Sequence, residues 1–111
     1  MNFKKIPEFE KEFSKLERKY SSLPEDLEDL EEILGTSPVG IGKNFTIIYS
    51  CENIKVVIVK LHCETLRDRT IRLFYAYHDN RIEFVYIEIY YKGNKENHEY
   101  ERVNEYLKNL W

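Results

Sequence analysis

Residues 70–91 read Thr70-Ile71-Arg72-Leu73-Phe74-Tyr75-Ala76-Tyr77-His78-Asp79-Asn80-Arg81-Ile82-Glu83-Phe84-Val85-Tyr86-Ile87-Glu88-Ile89-Tyr90-Tyr91. Two runs rich in β-branched and aromatic residues flank His78-Asp79-Asn80, whose types favour a tight turn. The stretch therefore predicts a hairpin with strands Thr70–Tyr77 and Arg81–Tyr91. Working outward, Phe45–Cys51 and Ile54–Cys63 carry the same signature on either side of a turn at Glu52-Asn53. The four runs predict an antiparallel sheet of about four strands.

Upstream the period changes from two to that of a helix. After a short strand at Asn2–Lys5, Pro7 suits a first helical turn, and Phe9, Phe13, Leu16 and Tyr20 recur on one side. Ser22-Leu23-Pro24-Glu25 has the spacing of a capping box. Leu27, Leu30, Ile33 and Leu34 then form a second apolar stripe that Gly35 should end. Residues 35–44, with three glycines and Pro38, read as a loop. Lys92-Gly93-Asn94 should end the sheet, and Tyr100, Val103, Leu107 and Leu110 give a closing helix with one apolar side. The expected fold is α+β: an N-terminal helical hairpin packed on an antiparallel sheet, then a C-terminal helix.

A chain of 111 residues with 42% hydrophobic content suits one domain spanning residues 1–111. The start lacks the apolar core of a secretory signal, and no apolar run approaches the ~20 residues of a membrane span, so a cytoplasmic protein is expected. Cys51 and Cys63 stand alone and should be separate reduced thiols. Three scattered histidines give no metal-ligand spacing, and Gly35, Gly40 and Gly42 precede no helix, so neither metal nor cofactor is expected. Net charge is −3, but it is unevenly spread: residues 8–32 hold ten acids and four bases, residues 33–95 nine bases and six acids. Acid belongs to the helices and base to the strands.

Alternation divides each strand into two faces. One takes Val57, Val59, Leu61, Cys63, Ile71, Leu73, Tyr75, Val85, Ile87 and Ile89, a core for the helices to cover. The other takes Val56, Ile58, Lys60, His62, Arg72, Phe74, Ala76, Ile82, Phe84, Tyr86, Glu88 and Tyr90. Lys60, His62, Arg72, Glu88 and Tyr90 would converge at its polar end. Two cations, an imidazole, a carboxylate and a phenol suit phosphodiester cleavage by 2′-hydroxyl attack, which needs a base, charge stabilisation and an acid for the leaving oxygen. Phe74 and Tyr86 would add flat surfaces for base stacking. The same face also reads as solvated sheet, with cross-strand pairs of little consequence.

The hairpin quoted above, continued by Lys92-Gly93-Asn94-Lys95-Glu96-Asn97, resembles the final hairpin and tail of RelE/ParE-family toxins. Phe9-Glu10-Lys11-Glu12-Phe13 with Leu16, Tyr20 and an acidic second helix is similar to the family's helical hairpin. The resemblance implies a type II toxin that cuts messenger RNA on the ribosome, without a metal, and is neutralised by a cognate antitoxin. It implies Lys60 and Arg72 on the phosphate, His62 or Glu88 as base, Tyr90 or Tyr91 as stacking group or acid, and Lys92 and Lys95 on the RNA backbone. Ribosome-dependent members are usually basic, whereas this chain has a pI of 5.7; an acidic hairpin turned away from RNA reconciles the two. A DNA gyrase inhibitor in the manner of the ParE branch, or an inactive interaction module, would need no converging acid and base. Under each reading Val56, Ile58, Ile82 and Phe84 offer an apolar surface for a partner's tail.

Overall fold

A computed structural model of the chain describes residues 2–92 and 100–110, except the side chains of Asp68 and Arg69. Among these, three helices and five strands follow one another as β1 (Asn2–Lys5), α1 (Pro7–Lys19), α2 (Leu23–Thr36), β2 (Phe45–Cys51), β3 (Ile54–Cys63), β4 (Asp68–His78), β5 (Glu83–Tyr91) and α3 (Glu101–Lys108). The class is α+β, as expected. The sheet has order β1-β5-β4-β3-β2, and β1 lies parallel to β5, so it is five-stranded and mixed rather than a four-stranded antiparallel meander. A strand of four residues adds its alternation too briefly to announce its partner or direction.

The α1–α2 hairpin covers one face. Its stripe buries Phe9, Tyr20, Leu23, Leu27, Leu30 and Leu34 against Val57, Val59, Leu61, Ile71, Leu73 and Tyr75. Pro7 opens α1, with Glu8 and Glu10 in its first turn and Arg18 and Lys19 in its last, all favourable to the helix dipole. The capping box at Ser22 does not form. Ser22 Oγ instead donates to Asp26 Oδ2 (2.8 Å) and accepts from Thr65 N (2.8 Å), while Asp26 also accepts from Glu64 N (3.1 Å). Those groups clasp the β3–β4 turn to the start of α2. Nor does Gly35 end α2, which continues to Thr36. The glycine that matters is Gly40, in the left-handed region at φ 76°, where a Cβ would collide with the Phe45 ring.

On the other face α3 buries Val103 and Leu107 in one cluster with Ile54, Val56, Phe74, Ala76 and Ile87. Two irregularities correct the alternation read from sequence. The β4–β5 register passes from Phe74 opposite Glu88 to Tyr75 opposite Tyr86, leaving an extra residue at Ile87. This bulge shifts the phase of β5 by one. Phe84 and Tyr86 therefore lie in the core under the helical hairpin, and Ile87 lies under α3, opposite to the expected assignment. Second, β5 begins at Glu83 and not at Arg81, because Asp79–Ile82 form the turn. Ile82 sits there at φ 49° and is 55% exposed, a left-handed conformation that costs a β-branched residue roughly 1–2 kcal/mol.

Candidate functional site

Cross-strand register decides which of the expected site residues meet. Lys60 lies opposite Arg72 and Arg72 opposite Tyr90, so the three form one row across β3, β4 and β5. Neighbouring strands are about 4.8 Å apart, which sets the two ends of the row about 10 Å from each other. Glu88 stands beside the row, opposite Phe74, on the same face. The β5 bulge therefore spares the site: beyond it Glu88 and Tyr90 share the face of Arg72, as simple alternation requires.

The row lies where α3 gives way. Tyr100, immediately before α3, has its ring 5.8 Å from that of Phe74, and Tyr106 near the helix end reaches His78 at the far end of β4. The helix thus runs away from the row and covers the apolar part of the face. Lys60 is exposed, whereas Arg72, Glu88 and Tyr90 retain 6%, 4% and 8% of their surface. Among the described residues no buried side-chain nitrogen or oxygen lacks a hydrogen-bond partner, so these polar groups are held in satisfied positions. Burial first, and then the Glu88 charge, push the Tyr90 hydroxyl up to about 12, against the opposing pull of Arg72. Tyr90 therefore stays protonated at neutral pH and can only donate a proton there.

His62 is the member that stands apart. It is exposed, and its Nε2 lies 3.4 Å from Glu64 Oε2 at the end of β3. Together with Lys60, Asp26, Asp29, Ile33 and Ile41 it lines a cleft of about 250 Å³ between α2 and the margin of the sheet.

The expected stacking surfaces are corrected. Tyr86 is fully buried, stacks on Phe9 at 5.1 Å and donates to Glu31 Oε2 at 2.9 Å. Burial and that carboxylate push its hydroxyl above the ordinary tyrosine range. Phe74 is 1% exposed beneath α3. Neither ring can meet a base. Tyr91 points to the hairpin face, where it packs on the core with its ring 6.1 Å from Tyr20, and this side also takes it away from the row. Lys92 is exposed, and Lys95 lies outside the described residues. The proposed apolar docking surface is likewise corrected: Val56 and Phe84 are fully buried, one by α3 and the other by the bulge, and only Ile82 of the four is strongly exposed.

No family model, curated protein or solved structure matches the chain. What the site can do rests on its own groups. Among the described residues no cluster of three His, Cys, Asp or Glu side chains could hold a metal, and no helix is long and apolar enough to cross a membrane. Sequence reading missed Tyr100, whose hydroxyl bears on that of Tyr90. It also missed the contact of His78 Nε2 with Tyr106 Oη at 2.5 Å. Tyr100 was legible only as one more apolar position of the closing helix.

Proposed function

We propose that this chain is the toxin of a type II toxin–antitoxin pair, of RelE/ParE type, which cuts messenger RNA on the ribosome and is neutralised by a cognate antitoxin. The observation that carries the reading is the alignment of Lys60, Arg72 and Tyr90 in one row with Glu88 beside them. In this reading Lys60, the exposed cation, meets the scissile phosphate, and Arg72 stabilises the charge that develops on it. Glu88 or His62 takes the 2′-hydroxyl proton, and Tyr90, held protonated, supplies one to the leaving 5′-oxygen. The reaction breaks the P–O5′ bond, forms the P–O2′ bond and requires no metal. The order of helical hairpin, sheet and closing helix is the one the family resemblance implies.

The near-burial of Arg72, Glu88 and Tyr90 favours a second reading, in which the row is a structural polar layer and the protein works by binding alone, as a gyrase inhibitor or an interaction module. Lys60 separates the two. Its side chain is exposed, so Lys60→Ala leaves the core intact. With the full chain in a translating extract, the nuclease reading expects messenger cleavage that falls about 100-fold in Lys60→Ala, the effect of one charge-stabilising donor. Translation arrest without cleavage, or cleavage equal in both proteins, contradicts it.

A further inference from the structure

The sheet ends in the four-residue β1 on one side and in the seven-residue β2 on the other. On the first side β1 pairs with Glu83–Tyr86 of β5, and Ile6 N continues the line by donating to Tyr86 O at 3.3 Å. Beyond β1, side chains take over. Arg102 of α3 donates to Ile87 O (3.0 Å), Ile89 N donates to Glu12 Oε1 (3.2 Å), and Arg102 grips both Glu12 oxygens at 2.7 and 2.8 Å. The bulged end of β5 is thereby closed to any further strand.

β2 has no side-chain closure like that at the end of β5. Among the described residues only β3 pairs with the backbone of residues 46–51. The strand Phe45-Thr46-Ile47-Ile48-Tyr49-Ser50-Cys51 contains no charge and no proline, the usual guards of an edge, and Ile47 is 47% exposed. Its one protective feature is the bulge at Ile48, and this sets which partner fits. Before the bulge, Phe45 and Ile47 face the helical-hairpin side with Val59 and Val57, and Thr46 faces the α3 side with Ile58. After it the phase is shifted, so Tyr49 shares the α3 side with Val56 and Ser50 the hairpin side with Lys55.

We infer that β2 is a self-association edge, pairing antiparallel with β2 of a second copy to make one continuous ten-stranded sheet. An antiparallel pairing that puts Phe45 opposite Ser50 puts Thr46 opposite Tyr49. The phase shift makes each pair share a face, which side-chain alternation demands. Ile47, on the hairpin side, then stands at the twofold axis opposite its own copy, and Ile48 of each strand stays out of the pairing as the bulge residue. No like charges oppose one another along the strand. At its two ends the exposed Lys43 of one copy meets the exposed Glu52 of the other, twice by symmetry. The exposed Ile33 and Ile41, at 42% and 71%, belong to the neighbouring α2 and loop, on the hairpin side that Ile47 faces. This inference does not depend on the nuclease reading.

Sedimentation equilibrium of the full chain over a wide range of concentration tests it. The expected result is a reversible dimer whose dissociation constant rises at least tenfold in Ile47→Lys, a change at an exposed position that sets two cations beside the axis. Glu52→Lys should weaken it as well, and the Lys43→Glu, Glu52→Lys double variant should restore it. A monomer at every concentration overturns the inference, and so does a dimer indifferent to Ile47→Lys. Weakening by Glu52→Lys that the double variant fails to restore overturns the antiparallel register.

Discussion

His78 is 3% exposed, with Tyr106, Arg81 and Glu83 around it, at the opposite end of the face from Lys60. Burial lowers its pKa from 6.5, the Arg81 charge lowers it further, and Glu83 opposes both. An imidazole harder to protonate in the folded state contributes stability fully above its unfolded pKa and loses it as pH falls toward the lowered folded value. Thermal unfolding should therefore show a melting temperature that declines as pH drops below about 6.5. His78→Gln should flatten this part of the profile. The Glu83 carboxylate, held below its usual range chiefly by its hydrogen bond to Lys4, adds its own loss only at lower pH, below 4.5. A profile equally steep in the variant would show that another group titrates. At this scale the sequence was informative about type and uninformative about depth. Lys60, Arg72, Glu88 and Tyr90 were legible as one polar group because they share parity on their strands. Their burial was not legible, since it depends on what covers them. Tyr86 was misplaced for a single reason, the extra residue at Ile87, although its identity as a large aromatic fitted either face equally well.

Among the elements, α1, α2, β2 and β3 were readable because each is apolar on one side or bounded by turn-forming residues. β5 was not, because it is buried on both faces: every residue from Glu83 to Tyr90 lies in the interior. A strand apolar on both sides has no contrast through which a phase slip could be seen. The placement of α3 was also hidden. Its apolar side was evident, but the same stripe would serve on either face of the sheet, and its use on the face of Lys60 and Arg72 follows from the clamp at β5. Arg102 and Glu12 are both about three-quarters buried, and they join the two helical layers around the margin of the sheet. Arg102→Ala removes a bidentate charged contact, takes the guanidinium donor from Ile87 O, and leaves Glu12 with the Ile89 amide but no guanidinium. The expected loss is about 1–3 kcal/mol. Denaturant unfolding measures it, and amide exchange at Ile89 should quicken in parallel. Unchanged stability would mean that Val103 and Leu107 hold α3 by themselves.

Across the whole molecule, charge follows architecture. The acidic residues of 8–32 sit on the hairpin that covers one face, and the bases are spread through the strands and their turns. A protein of net −3 thereby keeps Lys60 and the buried Arg72 in one row across its strands, while His62 lies at a cleft shared with Asp26 and Asp29 of α2. The fold class and the order of elements follow from periodicity, whereas the mixed sheet and the two-sided covering follow from long-range pairings that no local pattern records. The proposed chemistry leaves a mark that binding alone does not. Attack by the 2′-hydroxyl without a metal makes fragments ending in a 2′,3′-cyclic phosphate on one side and a 5′-hydroxyl on the other. The most direct measurement is the end chemistry of messenger fragments released by the full chain on purified stalled ribosomes. The account predicts cyclic phosphate and 5′-hydroxyl ends, sharply reduced in Lys60→Ala; intact messenger, or fragments with 3′-hydroxyl and 5′-phosphate ends, would contradict it.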